Sequence, residues 1–328
     1  MNHINKIFYI VLILFFIVAC NKKNNKMLEV KDTIDTLSDS TFITKVGGIE
    51  SSGRYVYIAA TKNNCVYCVD DDFKIIHTMG RTGHGPGEFV NVGSLSLCDS
   101  LLFAKSVDQL NIYTLNGEFI KSIKLKKAGY WTRKICVDED MYIYYSDPVS
   151  TGHIIAKADT SGNIIDSFGE LIIKKLKYPE TRNVGHIFKF NKSLIFVSKT
   201  EPIIRKYEIT GELLDELDLS SDKYIKKKME ESEKFYKQYQ NQPIKVSSIL
   251  FPAADIYEDN LYIINLSSQE EKTVNFLYVI NLNKFKLLKF VKLNPESIYH
   301  TIEIYKDNII CFDLITQSFH IYDLESVE

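Results

Sequence analysis

The sequence predicts an all-β chain, a six-bladed β-propeller of four-stranded antiparallel blades. Three observations lead to this fold class. A hairpin pattern recurs along the 328 residues, the repeats that contain it begin 40–52 residues apart except for one interval of 67 that holds about 22 extra residues, and the chain carries 20 tyrosines and 19 phenylalanines. Aromatic residues favour strands and pack well between sheets. A period of about 40–50 residues with four strands per repeat is typical of a propeller.

The recurring hairpin consists of an alternating strand, a short polar turn and a second alternating strand. Three copies centre the turn on glycine, at Asn111–Leu125, Ile154–Phe168 and Ile203–Leu217. Two more, Cys65–Met79 and Phe276–Phe290, fit the pattern with Asp or Asn in place of the glycine. The turn requires a residue that tolerates a positive φ. Each hairpin is predicted to supply the two outer strands of a blade.

A second strand pair precedes each hairpin and supplies the inner half of the blade. The first strands begin near residues 47, 94, 134, 186, 253 and 301. The sixth blade then has only three strands before Glu328, and Ser40–Gly48 offers a spare strand. We expect this N-terminal strand to close the last blade, which removes an exposed edge. Residues 40–328 are therefore predicted to form a single domain.

One segment breaks the strand pattern. Residues 220–242 begin with Ser and Asp, contain no Gly or Pro, and are followed by Pro243, as is typical of a helix. We expect one helical insertion between blades four and five, on the face where connections cross the channel. It is either a solvated helix packed on the rim or a lid or partner-binding arm.

The N-terminus has the pattern of a secretory signal. A basic stub is followed by twelve apolar residues, Ile7–Val18, which are too few for a bilayer span of roughly 20 residues. The run ends in IVAC, residues 17–20, which resembles the bacterial lipobox. This resemblance implies that residues 1–19 are removed and that Cys20 is lipidated. Residues 20–39 would then be a tether, and the chain would meet the membrane only through its lipid anchor.

Charge and cysteine spacing argue against two kinds of site. The formal net charge of −2 does not suggest the basic surface of a nucleic-acid-binding protein. The CVYC stretch at residues 65–68 looks like a redox or zinc half-site. However, it lies in a predicted strand, where positions three apart point to opposite faces, and no second CxxC occurs. We interpret these cysteines as buried small hydrophobic residues.

The stretch GRTGHGPGEF, residues 80–89, follows the first hairpin. Its glycine spacing, its proline and the strand after it exclude a dinucleotide-binding loop, and it lacks the lysine of a P-loop. The hairpins followed by this stretch resemble the NHL-type propeller repeat. With the lipobox and the helical insertion, the chain resembles the six-bladed β-propeller lipoproteins of Bacteroides and relatives.

The resemblance implies an outer-membrane lipoprotein of the cell envelope and no settled activity. In Bacteroides-type lipoproteins, acidic residues after the lipidated cysteine are associated with display on the cell surface. The stretch NKKNNK after Cys20 has none. We therefore favour a periplasm-facing protein over a surface-exposed one.

The loops that enter the inner strands gather at one end of the channel, where propellers commonly bind ligands. Here these loops carry aromatic and arginine side chains, which are typical of recognition surfaces. The candidate ligand-binding residues are Arg81, His84, Glu88, Tyr130, Trp131, Arg133, Arg182 and His186. We expect a monomeric binding or scaffold module for a glycan, peptide or protein partner, without a cofactor.

A metal-dependent hydrolase or lyase is the alternative. NHL-type propellers include such enzymes, which hold a metal in the central channel, and His84, His186 and His300 lie near the starts of predicted inner strands. A metal site needs ligands that converge from several strands. No G-x-S-x-G or H-E-x-x-H motif occurs. The sequence thus favours a binding module without catalytic residues and leaves the enzyme open.

Overall fold

The computed structural model describes residues 27–107, 109–125, 134–174, 178, 181–239, 247–269 and 272–327. Their strands form six four-stranded antiparallel sheets, which confirms the predicted propeller and its blade composition. No helix within these ranges is long and apolar enough to cross a bilayer.

The first strand of the described residues is β1 (Asp32–Ile34). Blade 1 contains β2 (Val46–Ser52), β3 (Tyr55–Ala60), β4 (Cys65–Val69) and β5 (Ile75–Met79). Blade 2 contains β6 (Ser94–Cys98), β7 (Leu101–Lys105), β8 (Gln109–Thr114) and β9 (Phe119–Lys124). Blade 3 contains β10 (Cys136–Val137), β11 (Ile143–Tyr145), the one-turn helix α1 (Pro148–Thr151), β12 (Ile155–Ala158) and β13 (Ile164–Phe168).

Blade 4 contains β14 (Gly185–Phe190), β15 (Ser193–Ser198), β16 (Ile203–Glu208) and β17 (Leu213–Asp218), and helix α2 (Lys223–Tyr239) follows it. Blade 5 contains β18 (Ala253–Tyr257), β19 (Asn260–Gln269), β20 (Lys272–Asn281) and β21 (Lys286–Lys292). Blade 6 contains β22 (Tyr299–Tyr305), β23 (Asn308–Asp313) and β24 (Ser318–Asp323), and β1 is its fourth strand.

The ring closes through β1, which pairs antiparallel with β24, with Asp32 opposite Ile321. Closure of the last blade by an N-terminal strand is therefore confirmed. The predicted location of that strand, Ser40–Gly48, is wrong. The last residues of this segment belong to β2, and the closing strand lies within residues 20–39, which were predicted to be a tether. Because β1 is three residues long and mostly exposed, it lacks the apolar alternation by which strands are recognised.

Helix α2 lies between blades four and five, as predicted. Its N-terminus is capped by Asp222, whose carboxylate accepts hydrogen bonds from the amides of Tyr224 and Ile225 at 2.9 and 3.2 Å. The ring of Tyr224 stacks on Phe276 of β20 with 4.3 Å between centroids. The first turns of α2 therefore pack on blade 5.

The turn between the third and fourth strands has a residue with positive φ in each of the first five blades. Glycine takes this position at Gly117, Gly162 and Gly211, as predicted. In blades 1 and 5 the residue is Phe73 or Phe285, with φ of 56° and 45°, and not the expected Asp or Asn. Both rings are buried in the core, and the apolar area they remove from water offsets the strain of the left-handed backbone.

The outer strand carries a β-bulge in the same five blades. In blade 1, Val69 pairs with Ile75 and Cys68 with His77, so Ile76 is left without a partner. The register shifts in the same way along the outer strands of blades 2 to 5. The bulged residues are Ile76, Ile120, Ile165, Leu214 and Leu288, all 44–50% exposed. An aliphatic side chain thus lies at the bulge of each of these blades.

The apolar core lies between neighbouring blades. Cys65 packs in the cluster shared by blades 6 and 1, whereas Cys68 packs in that of blades 1 and 2. All five cysteines of the described ranges are free and buried, and burial raises the pKa of Cys68 to about 11. The interpretation of CVYC as two buried hydrophobic residues on opposite faces is confirmed.

Candidate functional site

The central channel contains a cavity of about 140 Å³ at the end where the innermost strands begin. We call this end the upper end and the cavity the upper chamber. Blades 1, 4 and 6 and the residue that leads into blade 3 supply most of its polar side chains. The charged and histidine side chains among them are Lys45, Glu50, Lys134, His186 and His300, and Thr301 and, from blade 2, Ser94 add hydroxyls. The basic groups outnumber the single carboxylate, so the chamber suits an anionic group.

His186 and His300 both line the upper chamber, from β14 and β22. His186 is 6% exposed, and its Nε2 lies 3.2 Å from the carbonyl oxygen of Phe251. Because a carbonyl oxygen can only accept a hydrogen bond, Nε2 of His186 is the ring nitrogen that carries a proton. The hydroxyl of Thr301 is buried beside His300 and has no hydrogen-bond partner among the described residues.

The loop at residues 80–89 packs over the outer half of blade 2. The hydroxyl of Tyr113 in β8 donates to the carbonyl of Gly87 at 2.8 Å, and Phe89 is fully buried. Gly80 has φ of 74°, and a Cβ at this position would lie 2.3 Å from the ring of Phe89. The glycines therefore serve the packing of the crossing between blades.

Arg81, His84 and Glu88 lie on this loop and do not line the upper chamber. The Glu88 carboxylate accepts hydrogen bonds from the amide of Gly85 and from Arg81 Nε, both at 2.9 Å. These bonds lower the pKa of Glu88. His84 is exposed. The structure thus brings His186 and His300 together and leaves His84 apart from them.

Arg182 is turned toward helix α2. Its guanidinium makes a bidentate pair with Glu201 at 2.6 and 3.1 Å and an ion pair with Glu233 of the helix at 2.7 Å. It also lies 4.4 Å from the ring centroid of Tyr236. These contacts hold the second half of the helix against blade 4.

The remaining candidates Tyr130, Trp131, Arg133 and the lipidation residue Cys20 lie outside the described residues. Within the part of the chain that the structure describes, no group of three or more His, Cys, Asp or Glu side chains could hold a metal ion.

A cluster of buried charges lies in the middle of the channel, and the sequence analysis missed it. The Lys134 ammonium donates to the carboxylate of Glu50 and lies 5.2 Å from the ring centroid of Phe188. Asp255 in β18 accepts a hydrogen bond from the amide of Ile304 at 2.7 Å. Glu303 in β22 has Asp255, Glu50 and Lys134 as its charged neighbours. Three carboxyls thus surround one ammonium.

Burial raises the pKa of Glu50 and of Asp255, although Lys134 opposes the shift. Glu303 is affected most. Burial and the two other carboxyls raise its pKa well above the ordinary value. Burial disfavours the charged form of Lys134, but its three acidic neighbours raise its pKa overall. One sequence feature could have indicated this cluster, namely a single acid in the middle of an apolar innermost strand in VGGIESS, AADIY and YHTIEIY.

Below the charge cluster lies a second cavity of about 300 Å³, which we call the lower chamber. It is found where the innermost strands end. Its charged lining residues are Glu50, Asp99, Lys134, Glu139, Lys189 and Asp255. Acidic residues are in excess here, in contrast to the upper chamber.

Comparison with known proteins supports the fold. Residues 16–212 match a family described as a 6-bladed beta-propeller. No curated protein matches the chain significantly.

The solved structures that resemble it include the following three. A Bacteroides vulgatus protein of the duf4221 family has a TM-score of 0.60 and 11% identity, with 90% of this chain and 97% of that chain covered. A Bacteroides fragilis protein described as exported has a TM-score of 0.56, 16% identity and coverages of 87% and 83%. Hydrazine synthase of Kuenenia stuttgartiensis has a TM-score of 0.55, 12% identity and coverages of 91% and 81%. At these identities the similarity shows the fold alone.

Proposed function

Since the chain belongs to the six-bladed β-propeller family DUF5128, we propose that it is a ligand-binding module of the bacterial cell envelope. The upper chamber is the binding site, and its partner is a peptide, glycan or protein that presents a carboxylate. The observation that carries this proposal is the convergence of Lys45, His186, His300 and Thr301 on one cavity from blades 1, 4 and 6. Hydrogen-bonded cationic side chains are strong partners for a carboxylate.

The proposed location is the periplasmic face of the outer membrane, with anchoring through lipidated Cys20. The lipobox-like IVAC supports it, as does the structural similarity to a Bacteroides fragilis protein described as exported. Labelling with a radioactive fatty acid tests the anchor. Wild-type protein should incorporate the label and fractionate with membranes, whereas Cys20→Ser should do neither. Incorporation by the variant would contradict this assignment.

The binding site is tested with the chain from residue 20 onward, carrying Cys20→Ser. Calorimetric titration with short peptides that have a free C-terminal carboxylate, and with uronic-acid oligosaccharides, should identify a ligand. Lys45→Ala and His300→Ala should each weaken its binding by about tenfold, since each removes about 1.4 kcal/mol of hydrogen-bonded contact with the carboxylate. Lys192→Ala is the control, because Lys192 is exposed in the turn after β14. Equal affinity in all variants would exclude the upper chamber.

A metal-dependent hydrolase or lyase is the second candidate, because His186 and His300 line the same chamber. Metal analysis of the purified protein separates the two proposals. Stoichiometric metal that is lost in a His186→Ala, His300→Ala double variant would favour the enzyme. A folded protein that binds its ligand without metal would favour the binding module.

A further inference from the structure

The walls of the upper chamber are largely apolar. Besides the charged, histidine and hydroxyl side chains already described, its lining includes Val46, Ile49, Leu95, Pro252, Ile302 and Leu314. A group rich in hydroxyls suits such walls poorly, because a polar group that is buried without a hydrogen-bond partner is costly. The lining therefore favours a ligand group that combines one anionic end with an aliphatic part.

The size of the upper chamber limits that group. The volume of about 140 Å³ is close to that of an engineered apolar cavity that holds benzene, which corresponds to about six non-hydrogen atoms. A uronic-acid residue is larger than benzene and carries several ring hydroxyls, whereas a short aliphatic acid is of the right size.

Gly47 keeps the chamber narrow. A Cβ at this position would lie 2.5 Å from the Cα of Gly93 and 2.8 Å from the hydroxyl oxygen of Thr61. The main chain of blade 1 therefore closely approaches the segment that leads into blade 2. Because a change of rotamer cannot relieve a main-chain contact, the chamber cannot widen on this side unless the two blades separate.

Two β-bulges lie at the same chamber. In β22, His300 and Thr301 together oppose Phe312, and in β2, Gly47 has no partner residue on β3. His300, Thr301 and Gly47 all line the chamber, whereas the described ladders of the other four innermost strands show no shift of register. Bulges are frequent next to functional sites, where they re-aim side chains. Among these ladders, the irregular pairing is thus found only where the strands line the upper chamber.

Lys45 is the cation that a ligand can reach. It precedes β2, is exposed and makes no ion pair with a described residue, whereas Lys134 is paired with Glu50. Lys134 and Glu50 also line the lower chamber, so their ion pair forms the floor between the two chambers. A ligand carboxylate is therefore best placed at the mouth of the upper chamber, beside Lys45 and His300, with its aliphatic part toward the apolar walls.

On the basis of the function proposed for the upper chamber, we propose that the group held there is a short aliphatic carboxylate of about six non-hydrogen atoms. Its carboxylate accepts hydrogen bonds from Lys45 and His300, and its carbon chain packs against Val46 and Ile302. Two sources have this chemistry, the C-terminal alanine of a peptide and a free acid such as butyrate. The acidic end of a glycan is disfavoured by its size and its hydroxyls.

The test is calorimetric titration of the Cys20→Ser chain from residue 20 onward with acetyl-Gly-Ala, with sodium butyrate and with the amide of each. Both acids should bind saturably. Both amides should bind at least about tenfold more weakly, because they lack the charge that pairs with Lys45. Acetyl-Gly-Trp should also bind at least about tenfold more weakly than acetyl-Gly-Ala, since its side chain is too large for the chamber.

The same titrations distinguish the two sources. Tighter binding of acetyl-Gly-Ala than of butyrate assigns the chamber to the end of a peptide, because residues outside the chamber then add contacts. Binding of butyrate that is equally tight or tighter assigns it to a free short-chain acid. Either result supports a short aliphatic carboxylate.

Lys45→Met locates the carboxylate. This variant should lose affinity for acetyl-Gly-Ala but not for its amide, so the preference for the acid should shrink toward equality. Since Lys45 is exposed, the substitution should leave the fold intact. Lys192→Met is the matched control, because Lys192 is exposed in the turn after β14, and it should keep the preference of the wild type.

Equal affinity for the acids and their amides would overturn the proposal, as would the absence of saturable binding by both acids. A preference for the acid that persists in Lys45→Met would overturn it too, because the carboxylate would then lie elsewhere. Binding of acetyl-Gly-Trp as tight as that of acetyl-Gly-Ala would contradict the size limit. Tighter binding of a uronic-acid oligosaccharide that is lost in Lys45→Met would exclude this ligand class but leave the upper chamber as the binding site.

Discussion

Among the three acids of the charge cluster, Glu303 has two carboxyls and one ammonium as its charged neighbours. Its carboxyl is buried, two other carboxyls are its first charged neighbours, and Lys134 is engaged by Glu50. Its pKa is therefore raised in the folded chain, whereas the unfolded chain returns it to the ordinary value. Folding then takes up a proton at pH values between the two pKa values. The stability that Glu303 contributes is fully present below its pKa in the unfolded chain. It is lost as pH rises through its pKa in the folded chain.

We expect the unfolding free energy of the wild type to fall as pH rises from the ordinary carboxyl pKa through the raised pKa of Glu303, at up to about 1.4 kcal/mol per pH unit for one proton. Glu303→Gln keeps the shape of the side chain without the titration, so its stability should fall less steeply. Urea unfolding of both proteins at several pH values measures this difference. Parallel curves for the two proteins would show that Glu303 does not titrate in this range.

Helix α2 is tied to two different blades. Its first turn is held at blade 5, where the Tyr278 hydroxyl donates to the capping carboxylate of Asp222 at 2.7 Å. Its second half is held at blade 4, where Arg182 bridges Glu201 and Glu233. The two attachments are chemically independent, so one can be weakened without the other.

Arg182→Met should release the second half of α2, because it removes the only side chain that pairs with both Glu201 and Glu233 among the described residues. The substitution should also lower the free energy of unfolding by about 3–5 kcal/mol, since the Glu201 carboxylate stays buried without its partner. Hydrogen–deuterium exchange should accelerate in the second half of α2 and remain slow in its first turn. Glu233→Gln is the control, because its half-exposed contact contributes about 1 kcal/mol or less. Unchanged exchange in Arg182→Met would contradict this attachment.

The strands of each blade could be predicted from the sequence, because the alternation of apolar and polar residues and the turn residues are local properties. The innermost strands start within a few residues of their predicted positions. The exceptions have physical reasons. Phe73 and Phe285 adopt positive φ because packing in the core overrides local preference. The closing strand β1 depends on pairing with β24, 285 or more residues away in the chain, and its own sequence does not indicate it.

The candidate site was harder to predict, because the local sequence around a residue does not show how far its side chain lies from the channel axis. His84, His186 and His300 all precede or begin innermost strands, yet only the latter two line the upper chamber. The loop of His84 turns outward to pack under Tyr113 and around Phe89. Acids within innermost strands meet only when the ring closes, so the charge cluster is a property of the whole propeller.

At the scale of the molecule, the N-terminal segment joins the last two blades. The amide of Leu28 donates to the carbonyl of Lys292 in β21 at 2.8 Å, and the amide of Lys31 donates to Ile321 in β24 at 2.7 Å. The Leu28 side chain is buried in the core shared by blades 5 and 6. Residues 27–34 therefore belong to the propeller.

Leu28→Ala should lower the unfolding free energy by about 2–5 kcal/mol, as expected for a buried leucine. Met27→Ala is the matched control. Its side chain is 52% exposed, so the change should stay within about 0.5 kcal/mol. Urea unfolding followed by tyrosine fluorescence measures both. Equal stability of Leu28→Ala and wild type would show that this segment is a tether, as the sequence first suggested.

The bulged outer strands bear on how these molecules behave at high concentration. An outer strand exposes backbone donors and acceptors that could pair with the same strand of a neighbouring molecule and start a fibril. In blades 1 to 5, the bulge interrupts the regular spacing of these groups after one or two residues. In blade 6, the strand is three residues long. No blade edge in the described part of the chain offers a long regular template, so closely packed copies can remain separate.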